Sequence, residues 1–449
     1  MLTSVRPWKL IVPILMTGLL AGCPPRPEKP EPVPTEPVVE EKSVTEEKVD
    51  SGKPADAESA PAMTKSPEPA PTPATEPAGP PQNEESVKVL EAARVLLTKN
   101  DAGQVIAADC RDASIGDEQL KLFTGLPHLK ILSLENSTVT NEGLNFLKDV
   151  PQLIDLGLRR CTNVDDSGLA ALQHLPNLQR LHLLYTRTSN EGLVHVAGVK
   201  TLRLLDLRGC MQVGDAGLAH LTGLSDLADI KLRSYAVTDA GMKSLGELTN
   251  LRTVSLEDCG VGNAGMEELK TLKELRNLNV MRTVVGDKGL ANFAEMPLTD
   301  LNLRDTAVTG PGLNELKAAK ETLLRLDISE TRISNDGIVP IPQFKKLQSL
   351  NLWNSSIDNE GLASLAPLTD LKNLNLEGCS DINSDSAQDL LKFTKLEVLN
   401  LTETGFDSAG LEALTGLKNL REISIARIDV SDAAVKKFQE ALPKCVVKQ

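Results

Sequence analysis

The most constraining feature of this chain is a period. From residue 129 onward the pattern Leu-x-x-Leu-x-Leu returns every 23 to 25 residues. LKILSLENSTVTNEGLNFLKDVPQ begins at Leu129 and LIDLGLRRCTNVDDSGLAALQHLPN at Leu153. Further units start at Leu178, Leu202, Leu227, Leu251, Leu275, Leu298, Leu323, Leu347, Leu371, Leu396 and Leu420. That makes thirteen units, preceded by a weaker one around VIAADCRDASIGDEQL. In LRLLDLRGC, Leu205 and Leu207 flank Asp206, so a short strand turns both leucines to one face. A single strand cannot bury that face, but strands stacked unit upon unit can. The second half of each unit, as in VTDAGMKSLGEL (237–248), reads as a short helix. Thr238 is its N-cap, with Met242, Leu245 and Leu248 at helical spacing on the inner side. Eleven of the thirteen units carry Gly near the helix start, with Ser386 and Ala434 as exceptions. This predicts a place where neighbouring backbones approach too closely for most side chains.

A period of this length and pattern resembles the leucine-rich repeats, over about 340 residues of the chain. The resemblance implies an α/β solenoid: a right-handed horseshoe with a parallel sheet on its concave side and short helices on its convex side. Counting from the first Leu, Cys161, Cys210, Cys259 and Cys379 all fall at position nine. Ser137, Thr186, Tyr235, Thr283, Thr306, Thr331, Ser355, Thr404 and Ile428 occupy it elsewhere. This follows the cysteine-containing, ribonuclease-inhibitor-like class of repeats, in which that residue bonds loop backbone just after the strand. Thr outnumbers Cys here and the units are slightly short, both departures from the class. A bridge between Cys161 and Cys210 would skip a unit, roughly 9–10 Å, too far for a disulfide. No CxxC or HxxxH spacing suggests a metal site.

Both ends of the array read as caps, needed to shield the stack from water. SVKVLEAARVLLTKN (86–100) suggests an amphipathic helix with Val87, Leu90, Val95 and Leu97 on its apolar face. DAAVKKFQEALPKCVVKQ suggests a closing helix and a short last strand.

The amino-terminal region is of another kind. Arg6 and Lys9 precede LIVPILMTGLL, an apolar run too short to span a bilayer and typical of a secretory signal. It ends in Leu20-Ala21-Gly22-Cys23, which resembles the lipobox of bacterial lipoprotein precursors. The resemblance implies cleavage before Cys23 and acylation of that residue, which anchors firmly when several acyl chains insert. The following tract, PPRPEKPEPVPTEPVVEEKSVTEEKVD and more, has too few large apolar residues to form a core and reads as an extended spacer. The expected organisation is a signal peptide (1–22), a disordered Pro/Glu-rich spacer (23–85) and a repeat domain (86–449). Within that domain, 86–128 holds the first cap and divergent repeat, 129–430 the repeats and 431–449 the last cap. Pro24 rather than Asp after Cys23 favours the outer over the inner membrane.

The net charge of −14 argues against a nucleic-acid partner. The five histidines are scattered, and no GxSxG, HExxH or phosphate-cradling glycine loop occurs. The expectation is therefore a non-enzyme without a cofactor, probing its surroundings as a monomer through its concave face. On that face, outward positions of units two to five supply Arg159, Arg180, His182, Tyr185, Asp206, Arg208, Lys231 and Arg233. Arginines on neighbouring strands can grip carboxylate or phosphate groups. Farther along, an asparagine row including Asn279, Asn302, Asn351 and Asn400 surrounds Trp353, a residue type enriched at interface hot spots. These residues are the candidate contact site for a protein, peptide or glycan partner, with the membrane reached through lipidated Cys23. The alternative is a structural envelope component without a specific ligand.

Overall fold

A computed structural model describes residues 80–449. The signal-like run, Cys23 and most of the Pro/Glu-rich tract lie outside the described residues. Among the described residues, sixteen strands form one open sheet in strict sequence order. All neighbours pair in parallel except the first two. The position-four residues run in register from strand to strand: Leu132, Leu156, Leu181, Leu205, Ile230, Val254 and onward to Leu399 and Ile423. Each is essentially inaccessible to water. With positions one and six they form a single continuous core, backed by apolar residues of the helical halves. Burying one such leucine contributes about 1.5–3 kcal/mol, so the array is held by many equal increments between neighbours.

The helical halves are short, some α-helical and others 3-10. Asp239–Gly246 is one of the longer α-helices, and Thr238 caps it by accepting from the Ala240 N–H. The first helical residue of one unit then reaches into the next. Asp215 accepts from the backbone N–H and the hydroxyl of Thr238, at 2.8 and 2.6 Å. Asp239 accepts from Gly262 and Gly265, and Asn263 from Gly286 and Gly289. This ladder explains the recurring glycine more specifically than a close approach of backbones. A Cβ on Gly241 would lie 2.4 Å from the Asp215 carboxylate, and one on Gly289 2.8 Å from the Asn263 amide oxygen. It is chiefly the preceding unit's capping side chain that claims the space.

The strand-to-loop junction is equally regular. In twelve of the thirteen units the position-eight residue is left-handed, from Asn136 (φ 61°) to Arg427 (φ 58°). Position nine then turns inward. Cys161, Cys210 and Cys379 are buried, and each thiol donates to the position-six carbonyl of the preceding unit: Leu134 (3.0 Å), Leu183 (3.0 Å) and Leu352 (3.2 Å). The threonines at this position bond the position-six carbonyl of their own unit instead, as Thr186 does to Leu183 at 2.8 Å. All six cysteines among the described residues are free and buried. Burial pushes the thiols up, Cys110 to about 12 and Cys259 to about 11. These are inert packing groups. The unit beginning at Leu227 departs from the register. Ser234 takes the buried place there and bonds the Val213 carbonyl at 2.8 Å. Tyr235, expected in that buried place, is therefore expelled to the surface.

The ends correct one expectation. The helix over 86–100 exists only as α1 (Glu84–Ala92), capped by Asn83. Arg94 turns left-handed (φ 66°), and Leu96–Lys99 forms strand β1, antiparallel to β2 (Val105–Asp109). The run VLLT follows a period of two: Val95 is buried, Leu96 is 63% exposed and Leu97 packs on the core. That pattern suits an edge strand and not a helical face. The opposite end matches its expectation, with a helix at Asp432–Ala441 and a last strand at Val446–Lys448.

Candidate functional site

The twist of the stack brings most of the predicted contact residues onto one surface. Three adjoining depressions cover the sheet face and its loop edge from the first unit to the sixth. The largest, about 370 Å³, includes Arg159, His182, Asp206, Arg208 and Lys231. A smaller one of about 170 Å³ shares Arg159 and Arg208 with it and adds Tyr185 and Arg233. A third, about 360 Å³, lies between Tyr185, Met211, Arg233 and Tyr235. Arg180 lines none of the three, and Trp353 stands apart, several units away.

The charges differ from the picture of a bare basic patch. Arg159 pairs with Glu135 at 3.2 Å, Arg180 with Asp155 at 2.7 Å and Arg233 with Asp258 at 2.6 Å. His182 approaches Asp155 at 3.4 Å. Arg208 grips Asp206 with two nitrogens, at 3.0 and 2.8 Å, and reaches Glu257 at 3.7 Å. Asp206 is only 2% exposed, so it sits beneath Arg208 as its anchor and is shielded from an arriving ligand. Lys231 has no ion pair among the described residues. Burial raises the Asp155 carboxyl, but hydrogen bonds from His182 and Arg180 outweigh it and leave the group below its ordinary value. Asp258 is likewise held low, first by its hydrogen bond from Arg282 and then by Arg233.

Apart from Lys231, what stands free on this surface is aromatic and apolar. The chain has two tyrosines, and both are here. Tyr185 is 40% exposed, Tyr235 68% and Met211 51%. By contrast, six of the seven phenylalanines are buried in the core. Tyr185 is set firmly: the Arg160 guanidinium lies 5.7 Å from its ring centre, and Arg233 donates to its hydroxyl at 3.4 Å. Its ring also lies over Gly209, where a Cβ would come within 2.3 Å of it. Met211 and Tyr235 were not among the predicted contacts. For Tyr235 a signal was present, since it and Ile428 are the only large residues at position nine, which otherwise takes Cys, Ser or Thr.

The asparagine row has a structural task. The side-chain oxygens of Asn279, Asn302, Asn351, Asn375 and Asn400 each accept the backbone N–H two residues on. The side-chain amides of Asn279, Asn351 and Asn400 donate across to the preceding unit. These bonds close the strand ahead of its left-handed residue. Trp353 is partly covered, with the Arg304 guanidinium stacked 4.5 Å from its ring centre and itself paired to Glu330 at 2.6 Å. Among the described residues no cluster of three or more His, Cys, Asp or Glu could hold a metal ion, and no helix is long and apolar enough to cross a membrane.

Comparison with known proteins agrees with this architecture. A leucine-rich-repeat family matches residues 247–270. Among solved structures, a leucine-rich-repeat protein from Leptospira interrogans is similar with a TM-score of 0.50 at 17% identity, over 74% of this chain and 88% of that one. An internalin from Listeria monocytogenes is 19% identical over 82% of this chain and 95% of its own, with a TM-score of 0.49. No curated protein is similar enough in sequence to match. The chain folds as an open leucine-rich-repeat solenoid.

Proposed function

We propose that this is a lipid-anchored protein of the cell envelope that binds another macromolecule through its concave face, a protein or peptide in preference to a glycan. The observation carrying this reading is the pairing of both tyrosines with Met211 around one depression at the loop edge of that face, with Arg233 held by Asp258 on its rim and the carboxylate-paired Arg159 and Arg208 lining the adjoining depression. Tyrosine and arginine are the residue types that dominate interface hot spots, and an apolar centre with a charged rim excludes water from such contacts. Because the arginines are held in place, a partner need not order them on binding. The lipobox ending in Cys23 supports anchoring, with the Pro/Glu-rich tract as a tether and the outer membrane as the favoured location. A second reading, a structural envelope component without a specific ligand, draws support from the self-paired charges of the concave face.

A photo-crosslinking residue in place of Tyr235 separates the two. Binding predicts a discrete adduct with an envelope protein, lost when Arg208→Glu is added. The same residue in place of Lys243, exposed on the helical side, serves as the control. Identical adducts from both positions, or none, would favour the structural reading. Anchoring is tested separately: labelled fatty acid should enter the wild-type chain and not the Cys23→Ala variant.

A further inference from the structure

At the last units of the solenoid, on the edge where the strands begin, five cations converge. Lys372, Lys395, Lys418, Arg421 and Lys444 line a cavity of about 500 Å³, with Glu397 as its only lining carboxylate. Lys372 and Arg421 stand at position two of their units, Lys395 and Lys418 just before the next strand starts, and Lys444 just ahead of the final strand. Successive units place such groups on neighbouring strands, about 4.8 Å apart per step.

Local carboxylates do not balance this charge. Arg421 pairs with Glu397 at 3.4 Å, and Lys395 with Asp370 at 2.5 Å. Lys372, Lys418 and Lys444 have no carboxylate within ion-pair distance among the described residues. The Lys418 ammonium instead donates to the Thr415 carbonyl at 2.7 Å. Position two is cationic in several other units (Lys130, Arg203, Arg252 and Arg276) but not in all, with Ile154, Ala228, Thr299 and Leu324 elsewhere. What sets the last units apart is that Lys395, Lys418 and Lys444 join Lys372 and Arg421 in one cavity. Uncompensated like charges held close together repel, and on a chain of net charge −14 the arrangement is unexpected unless an anion completes it.

We propose that this cavity binds a ligand bearing several phosphate charges. Ammonium groups act as point charges toward phosphate oxygens, and a recess lined by several of them suits an extended polyanion better than one small ion. The site lies units away from the tyrosine surface and does not depend on that surface binding anything. Such phosphate chemistry could belong to a soluble compound or to a lipid headgroup, and two probes distinguish the sources.

Tripolyphosphate and a short-chain, water-soluble phosphatidic acid are titrated calorimetrically into the full-length chain at low salt. At least one is expected to bind, with an affinity that falls steeply as salt is added. Tighter binding of tripolyphosphate points to a soluble phosphate compound, and tighter binding of phosphatidic acid to a headgroup. The triple variant Lys372→Glu, Lys418→Glu, Lys444→Glu should weaken binding about tenfold or more. The triple Lys→Gln variant, which keeps most of each stem, should show the same direction if charge reversal harms folding. Binding of neither probe, equal binding by wild type and both variants, or an equal loss on reversing Arg159, Arg208 and Arg233 would overturn the proposal.

Discussion

At the scale of single residues, the repeat is enforced by a few positions whose neighbours leave no choice. Gly241 lies against the Asp215 carboxylate that holds Thr238, the cap of its helix, so a methyl group there must displace that carboxylate. Gly241→Ala should therefore cost about 2–3 kcal/mol, from overpacking plus the lost bonds to Thr238. Gly260 offers the contrast. A Cβ there meets nothing closer than 3.4 Å, so Gly260→Ala should stay within about 0.5 kcal/mol of wild type. Urea unfolding midpoints of the two variants check both values, and equal losses would remove the cap explanation. The same residue scale shows what a linear reading misses. That Asp206 faces the concave side follows from alternation, but its burial under Arg208 depends on where a flexible side chain comes to rest.

At the scale of the element, the strand ends are tied to one another by groups that look like solvated surface in the sequence. Asp258 is the clearest: it is left-handed (φ 50°), 6% exposed, and holds Arg233 from one neighbouring unit and Arg282 from the other. Its carboxyl is held low chiefly by the Arg282 hydrogen bond. A depressed folded-state value stabilises the protein above the unfolded carboxylate value near 4, and that contribution is lost as pH falls through the folded value. Asp258→Asn should thus be less stable than wild type near neutrality by about 1–2 kcal/mol. The gap should narrow as pH drops below about 4. Unfolding free energies measured across that range decide it, and a gap that widened in acid would contradict the assignment. The asparagines at position five belong to the same scale. As a row they suggested a polar binding strip, whereas folded they bond the backbone two residues on.

At the scale of the whole molecule, every unit depends on the next, and the ends must be closed. The helix Asp432–Ala441 buries Ala434, Val435 and Phe438 against the last repeat. A chain ending after Val430 should expose that face, aggregate on size-exclusion chromatography and unfold at lower temperature. A monodisperse truncated chain with unchanged melting would show that the cap is dispensable. The solenoid, its strand faces, the Thr238 cap and the packing role of the cysteines were legible from the sequence because each is repeated. A signal written thirteen times is strong even where one copy is ambiguous. The helix expected over 86–100 failed where there was a single copy, and local periodicity alone had to choose between helix and strand. The contact surface was half legible. Alternation identified which side chains leave the sheet, but pairing among charges on different units, and the expulsion of Tyr235 by Ser234, depend on distances that exist only after stacking. The sequence by itself determined the period, the direction of each strand's faces and the spacing of its buried leucines, because these follow from local geometry. Only the tertiary structure decided which arginines are already satisfied, that both tyrosines share one depression with Met211, and that cations flanking the leading edges of the last four strands meet in one cavity. Those outcomes depend on contacts between residues some 25 or more positions apart.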